Sequence, residues 1–227
     1  MWTLAIDTST MTASAASLKN SEIVGEVFVN LKINHTPMLL PVIEMLCTAS
    51  GMKLEEVDLF VCTIGPGSFT GVRIGVSTVK GFALATGKPV VGVSTLDALA
   101  LNLLGSPVKV CPMLDARKNQ VYTALYRTDG DNQLEKIKDE RDTEIREFLR
   151  TIDEEVIFLG EGAQKYAGVI REMLCGKAYF AAGIQNHVRA SMAGMLGEKK
   201  FRDGEMDDPV TLVPRYMRLS EAELKMK

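Results

Sequence analysis

A chain of 227 residues with 46% apolar and 24% charged residues has an ordinary globular composition, which excludes intrinsic disorder as its main character. At this length roughly 70% of the unfolded surface is buried on folding, so a core forms without disulfide or metal, as one large domain or two small lobes. Aromatic residues are scarce at 6%, and 26 basic against 29 acidic residues leave a net charge of -3, which argues against a stacking platform for single strands and against a stand-alone nucleic-acid binder.

Residues 2–7 (WTLAID) form a short apolar run ending in Asp7, and residues 12–18 and 22–30 have the length and β-branched content of strands. These three predict an antiparallel meander. Thr36-Pro37 then opens a helix, with Thr36 as N-cap and Pro37 at the first helical position, and Ser50-Gly51 closes it. Residues 57–64 (VDLFVCTI) are apolar almost throughout and predict a central strand buried on both faces. The run GPGSFTG (65–71) leads into a second helix ending near Thr86. Residues 89–93 (PVVGV) predict the next strand, and Ser94 or Thr95 caps a third helix. The order β-β-β-α-β-α-β-α is that of a ribonuclease-H-like α/β layer.

A second part begins near residue 106. The expected division is an N-terminal lobe over 1–105 and a smaller lobe over 106–227, with part of 187–227 packing back on the first. Residues 108–115 and 120–127 predict a strand pair, and the charged stretch 129–147 a strand and the start of a helix. A buried strand over 156–160, helices over 163–175 and 187–202, and a polar tail over 203–227 with Pro209 and Pro214 complete the chain. LAIDTSTMTASAAS (4–17) can be laid over PMLDARKNQVYTAL (112–125), each an apolar strand ending in Asp, a polar turn and a second strand. That echo fits a duplicated unit, and it also fits two unrelated strands that each end in an Asx turn.

Cys47, Cys62, Cys111 and Cys175 are scattered without zinc or redox spacing and read as reduced thiols. His35 and His187 are the only histidines, so a multi-histidine metal site is excluded, and no GxSxG elbow is present. No apolar run is long enough to span a bilayer, and Asp7 among many hydroxyl residues does not read as a signal peptide, so a cytoplasmic location is expected.

Four places carry candidate chemistry. Asp7, Thr8 and Ser9 could hold a magnesium-bound phosphate, but no Gly lets the backbone approach one, and turn chemistry explains the same residues. The loop amides of GPGSFTGVRIG (65–75) could bind an anion, or the glycines could permit close helix packing. Asp115-Ala116-Arg117-Lys118 could bind substrate or form a surface ion pair, and Gly160-Glu161-Gly162-Ala163 could line an adenine or simply turn strand into helix. Finally, the helix PMLLPVIEMLCTAS (37–50) is apolar around well over half of its circumference, with only Glu44 and Thr48 marking a polar side. A sheet covers one side only, which favours a protein interface over a fully internal helix.

The segments IDTST (6–10), IGPGSFTGVRIGVSTVKGFA (64–83), VGVSTLDALA (91–100), LDAR (114–117) with VY (121–122), and PRYMRLSEAE (214–223) together resemble the TsaB (YeaZ) family from end to end. The resemblance implies two ribonuclease-H-like lobes of the actin-like, Hsp70-like and sugar-kinase (ASKHA) superfamily. It implies a part in forming N6-threonylcarbamoyladenosine at position 37 of ANN-reading tRNAs, beside the catalytic relative TsaD, with TsaE and a threonylcarbamoyl-AMP synthase completing the pathway. TsaD-like proteins carry a His-x-x-x-His metal pair just after the strand matching 89–93. Here those positions are Thr95 and Leu99, and neither can replace an imidazole. Their late Asp-Asn motif has no match in 176–227.

The resemblance thus implies a catalytically empty paralogue that partners and activates TsaD. The alternatives are a nucleotide-dependent enzyme using Asp7, or a glycoprotease-like peptidase. First-lobe helices would make the contact, through Met38, Pro41, Val42 and Met45 of one helix and Arg73, Ile74, Ser77 and Lys80 of the next. The same surface would support a homodimer in the absence of TsaD, with TsaE and tRNA reached through the complex. No cofactor is expected on this chain alone, and ATP or ADP is expected only at the junction with TsaD.

Overall fold

The apolar run at the N-terminus becomes β1 (Trp2–Asp7), the middle strand of a five-stranded sheet in the computed structural model, which describes residues 1–30 and 38–218. Along the chain follow β2 (Ala13–Lys19), β3 (Glu22–Val29), α1 (Leu39–Ser50), β4 (Leu59–Thr63), α2 (Phe69–Thr86), β5 (Val90–Val93) and α3 (Thr95–Ala100). β1, β2 and β3 form the antiparallel meander, and β4 and β5 add in parallel beside β1, giving the order β3-β2-β1-β4-β5. The expected cap at Thr36 and Pro37 lies outside the described residues. At the third helix Ser94 is the cap, its Oγ accepting the Leu96 and Asp97 N–H groups at 3.1 and 3.3 Å.

The second half repeats the plan: β6 (Lys109–Arg117), β7 (Gln120–Thr128), β8 (Leu134–Glu144), α4 (Ile145–Leu149), β9 (Val156–Leu159), α5 (Glu161–Lys165), α6 (Ala167–Leu174), β10 (Ala178–Phe180) and α7 (Ala190–Arg202). Its sheet order is β10-β9-β6-β7-β8, with β6, β7 and β8 antiparallel and β9 and β10 parallel. Counted from its own first strand, this is the order of the first sheet. The single helix expected over 163–175 is broken at Tyr166, whose non-helical backbone ends α5 and starts α6. The short β10 was not expected, because three residues are too few to show a period.

Two units result. One comprises Met1–Ala98 with Val188–Tyr216, and the other Leu99–His187 with the chain from Met217 on. The division falls after Ala98 rather than at residue 105, and a physical reason is visible at Leu99, whose side chain packs at Gly160 within the second unit.

In the first unit, alternation along the strands decides what each face meets. Leu4, Ile6, Phe60 and Cys62 point to the side covered by α1 and α2 and join their buried residues in one cluster. Ala5, Leu18 and Val61 point to the opposite side, where Gly194 and Gly197 let α7 lie directly on the sheet. Both faces of β4 are therefore covered, which explains a strand with no polar alternation. In the second unit α4, α5 and α6 pack Ile145, Phe148, Ala163 and Ile170 on Cys111, Val121 and Phe158.

Two buried glutamates fasten α7. Glu198 accepts the hydroxyls of Thr3 at 2.7 Å and Ser21 at 2.6 Å. Glu26 accepts the Arg189 Nε–H at 2.9 Å, the Ser191 N–H at 3.1 Å and hydroxyl at 2.9 Å, and the Ser14 hydroxyl at 3.1 Å. Burial alone would raise the Glu26 carboxyl, but the hydrogen bonds and charge from Arg189 and the Ser191 contacts outweigh it and hold the group below its ordinary value. A carboxyl lowered in the folded state stabilises above its unfolded pKa, near 4.5, and loses that contribution as pH falls through the folded value. Thermal unfolding followed from about pH 7 down to about pH 3 should therefore show an acid loss that is shallower in Glu26→Gln, which should also be the less stable protein at neutral pH. Parallel curves for the two proteins would remove Glu26 from the acid limb.

Candidate functional site

The turn after β1 and the Gly-rich loop before α2 are one packed unit. Asp7 Oδ1 accepts the Ser9 N–H at 3.2 Å, the Ser9 hydroxyl at 2.5 Å and the Thr63 hydroxyl at 2.6 Å. Thr8 Oγ1 donates to the Gly71 carbonyl at 2.7 Å, and the Ser68 N–H donates to the Ser9 carbonyl at 2.7 Å. A β-carbon at residue 71 would collide with the Thr8 carbonyl, one at 67 with the Ser9 carbonyl, and one at 75 would stand 2.6 Å from Thr8 Oγ1. The loop glycines thus serve close approach of backbone to backbone. Ser68 caps α2 by accepting the Gly71 N–H at 3.2 Å. Asp7, Thr8 and Ser9 are buried, and the hydrogen bonds they make hold this turn to β4 and α2.

The outward faces of α1 and α2 carry the partner-surface expectation. Leu39, Val42, Ile43 and Leu46 form the buried stripe of α1. On its other side Leu40 and Met45 are 60% and 61% exposed, and Pro41 is exposed beside them. Val42, expected in the contact set, is corrected here: it is 3% exposed and belongs to the core, because it shares the stripe of Leu39 and Leu46 at helical spacing. Met38 and Ile74 are half-buried and Ser77 is exposed. Leu40, which the contact set did not include, lies on the opposite flank of the outward face from Met45, about 140° around the wheel, with exposed Glu44 and Thr48 between them.

Arg73 and Lys80 are held by the chain's own C-terminal segment. The polar tail expected after residue 203 is in fact a strap across β5 and α2. Asp207 bridges to Val90, and its Oδ2 accepts the Gly92 N–H at 2.7 Å. Leu212 is 6% exposed and enters the first-unit core, and the Arg215 N–H donates to the Ile64 carbonyl at 2.6 Å. Lys80 Nζ donates to the Val210 and Leu212 carbonyls at 3.0 and 2.8 Å. The Arg73 guanidinium lies over the Phe69 ring, 3.7 Å from its centroid, and Nε donates to the Tyr216 hydroxyl at 2.6 Å. Val210 and Val213 on the strap face outward, as does Leu84 on α2.

In the second unit Asp115 occupies the place that Asp7 holds in the first. Its Oδ1 accepts the Arg117 N–H at 3.0 Å and the Tyr166 hydroxyl at 3.2 Å, and Oδ2 pairs with Lys165 at 2.6 Å. The ion pair therefore joins Asp115 to Lys165, and Arg117 contributes only its backbone. Arg117, Lys118 and Asn119 at the β6–β7 tip have φ values of 63°, 51° and 61°, the left-handed region, which costs about 1–2 kcal/mol per residue with a β-carbon. Gly160 and Gly162 lie against the β6 backbone at Met113 and Leu114, a tight turn from strand to helix. Burial and the nearby Asp115 raise the Glu161 carboxyl.

All four cysteines are free, and burial, with Asp207 and Asp7 nearby, pushes the Cys62 thiol up to about 12. Thr95 and Leu99 are both buried. Among the described residues no group of three or more His, Cys, Asp or Glu could hold a metal ion, and no helix is long and apolar enough to cross a membrane.

Two ribonuclease-H-like sheets of the same strand order give the chain the actin-like (ASKHA) fold. Component A of (R)-2-hydroxyglutaryl-CoA dehydratase from Acidaminococcus fermentans shares this fold, with a TM-score of 0.55 at 14% identity over 88% of this chain and 98% of that one. The family model described as TsaD, tRNA N6-adenosine threonylcarbamoyltransferase, matches residues 22–226. YeaZ from Pseudomonas aeruginosa superposes with a TM-score of 0.81 at 27% identity, covering 95% of this chain and 99% of that one. The tRNA threonylcarbamoyladenosine biosynthesis protein TsaB of Bacillus subtilis is 34% identical over 99% of this chain and 97% of its own length. The chain belongs to the TsaB (YeaZ) family of tRNA threonylcarbamoyladenosine biosynthesis proteins.

The packing of α2 on the Asp7 turn has a measurable consequence. In urea unfolding Gly71→Ala should lose about 1–3 kcal/mol, because neither the Thr8 carbonyl nor the helix can yield without opening the turn. Gly81→Ala, in the same helix with open space around it, should gain up to about 1 kcal/mol. Equal effects at the two positions would mean that close approach does not set the place of α2.

Proposed function

We propose that this protein is the non-catalytic partner and activator of TsaD in forming N6-threonylcarbamoyladenosine at position 37 of ANN-reading tRNAs. The observation that carries the reading is the outward face of α1, where Leu40 on one flank and Pro41 and Met45 on the other stand exposed around Glu44 and Thr48, outside a core that Leu39, Val42 and Leu46 already fill. Exposed apolar side chains around a small polar centre, beside a fully packed sheet, fit a surface that a partner covers. The non-catalytic part is supported by Thr95 and Leu99, buried and unable to ligate a metal as an imidazole would, at the positions where the family resemblance puts a His pair. On this reading TsaE joins through the complex, ATP or ADP is held at the junction with TsaD, a homodimer uses the same face when TsaD is absent, and the assembly works in the cytoplasm.

The test is molar mass by light scattering on a sizing column, for the chain alone and mixed with TsaD from the same source. A heterodimer that replaces any homodimer is the expected result. Met45→Glu and Leu40→Glu, both at exposed positions, should leave folding intact and weaken the complex by at least about 2 kcal/mol where they sit near the interface centre. A folded double variant that binds TsaD as tightly as the wild type would remove α1 from the contact.

A further inference from the structure

The tip of the β6–β7 hairpin is built against its own backbone preference. The pairing of Arg117 with Gln120 leaves Lys118 and Asn119 as a two-residue connection, both with positive φ, the turn that Asn-Gly fills with least strain. Arg117 sits just before it, at an irregularity in the β6–β7 register, again with positive φ, where glycine is the usual occupant. A hairpin that only had to reverse the chain would carry glycine or asparagine at these positions. Instead two of the three carry long cationic side chains, both exposed, and among the described residues neither makes an ion pair.

The tip is also tethered by backbone hydrogen bonds. Asp115 takes the Arg117 N–H, the Asn119 carbonyl accepts the Ile145 N–H at 3.0 Å, and the Ala116 carbonyl accepts the Arg218 guanidinium at 3.3 Å. Of the neighbouring acids, Asp115 pairs with Lys165 and Asp142 with Arg218 at 3.6 Å, Glu144, opposite Gln120, accepts the Glu147 N–H at 3.0 Å, and burial with the nearby Asp115 raises the Glu161 carboxyl. A guanidinium and an ammonium on a tethered tip, with asparagine as the third residue and no apolar side chain among the three, match phosphate oxygens better than a protein surface.

We propose that Arg117 and Lys118 form a phosphate-binding contact for the tRNA, reading its backbone and not its bases. The proposal rests on the chain's place in tRNA threonylcarbamoylation. Two cations can neutralise one or two phosphates, enough to position the RNA and too few, on a chain of net charge -3, to capture it alone.

The experiment measures binding of an unmodified ANN-reading tRNA transcript to the full chain in complex with TsaD, across a range of salt, for wild type and Arg117→Gly/Lys118→Gly. The variant should bind tRNA about an order of magnitude more weakly at low salt, with a salt dependence shallower by roughly 0.7–0.9 per phosphate lost. Its melting temperature should be unchanged or higher, since glycine adopts the left-handed conformation freely. A contact that were merely structural would move stability and leave RNA affinity alone. Arg117→Asn/Lys118→Asn, which keeps a turn-forming side chain, should reproduce the binding loss if the glycine pair fails to fold. Unchanged tRNA affinity and salt dependence in a folded variant would overturn the proposal. So would a variant that loses affinity for ATP but not for tRNA, which would assign the cations to a nucleotide. Failure of the wild-type chain to join TsaD at all would instead sink the partner reading.

Discussion

The Thr8 carbonyl lies where a β-carbon on residue 71 would have to stand, and much of the first unit follows from that contact. Glycines at 67, 71 and 75 let α2 press its backbone on the turn after β1. That contact sets the depth of α2 over β4 and the direction of its outward face. Asp7 completes the joint by gathering the Ser9 and Thr63 hydroxyls, so a carboxylate that in sequence suggests a phosphate site is also a bracket between a turn and a neighbouring strand. Alternation along β1 and β4 does the rest, sending Leu4, Ile6 and Phe60 to α1 and α2 and leaving the smaller Ala5 to a glycine-bearing α7.

The strap gives the outer surface of α2 a second layer. Its attachment is polar at Asp207, Lys80 and Arg215 and apolar at Leu212, and it runs beside the outer strand β5. A bare sheet edge invites pairing with other chains, and a short bridge at Val90 with the Asp207 carboxylate on Gly92 occupies part of this one. Arg73 and Lys80, which a helical wheel presents as free cations on an outward face, are therefore part of the protein's own closure.

The two halves share strand order but not the use of their first turns. Both Asp7 and Asp115 accept an N–H two residues ahead, so the turn chemistry that could have produced the sequence echo by chance is present in each. The agreement of both whole sheets in order and direction goes beyond what a turn can impose, and it favours duplication. In the first half the turn is covered by α2. In the second it ends in an exposed, left-handed, cationic tip.

All strands but β10, the helices α1 and α2 between the strands of the first sheet, the two-sided burial of β4 and the excess apolar surface of α1 were legible in the sequence, because each follows from a period or a composition that local chemistry imposes. The end-to-end resemblance to one family likewise needed only the order of residues. What tertiary structure alone decided was which side of each pattern is inside. Val42 and Met45 look alike on the chain, but one fills a core already shaped by Leu39 and Leu46 and the other faces out. The burial of Leu212, the capture of Arg73 and Lys80 by the strap, and the pairing of Asp115 with Lys165 instead of Arg117 all join residues far apart in the chain or close by only through a fold. No local period records such contacts, since their energy depends on distances that exist only once the sheets have formed.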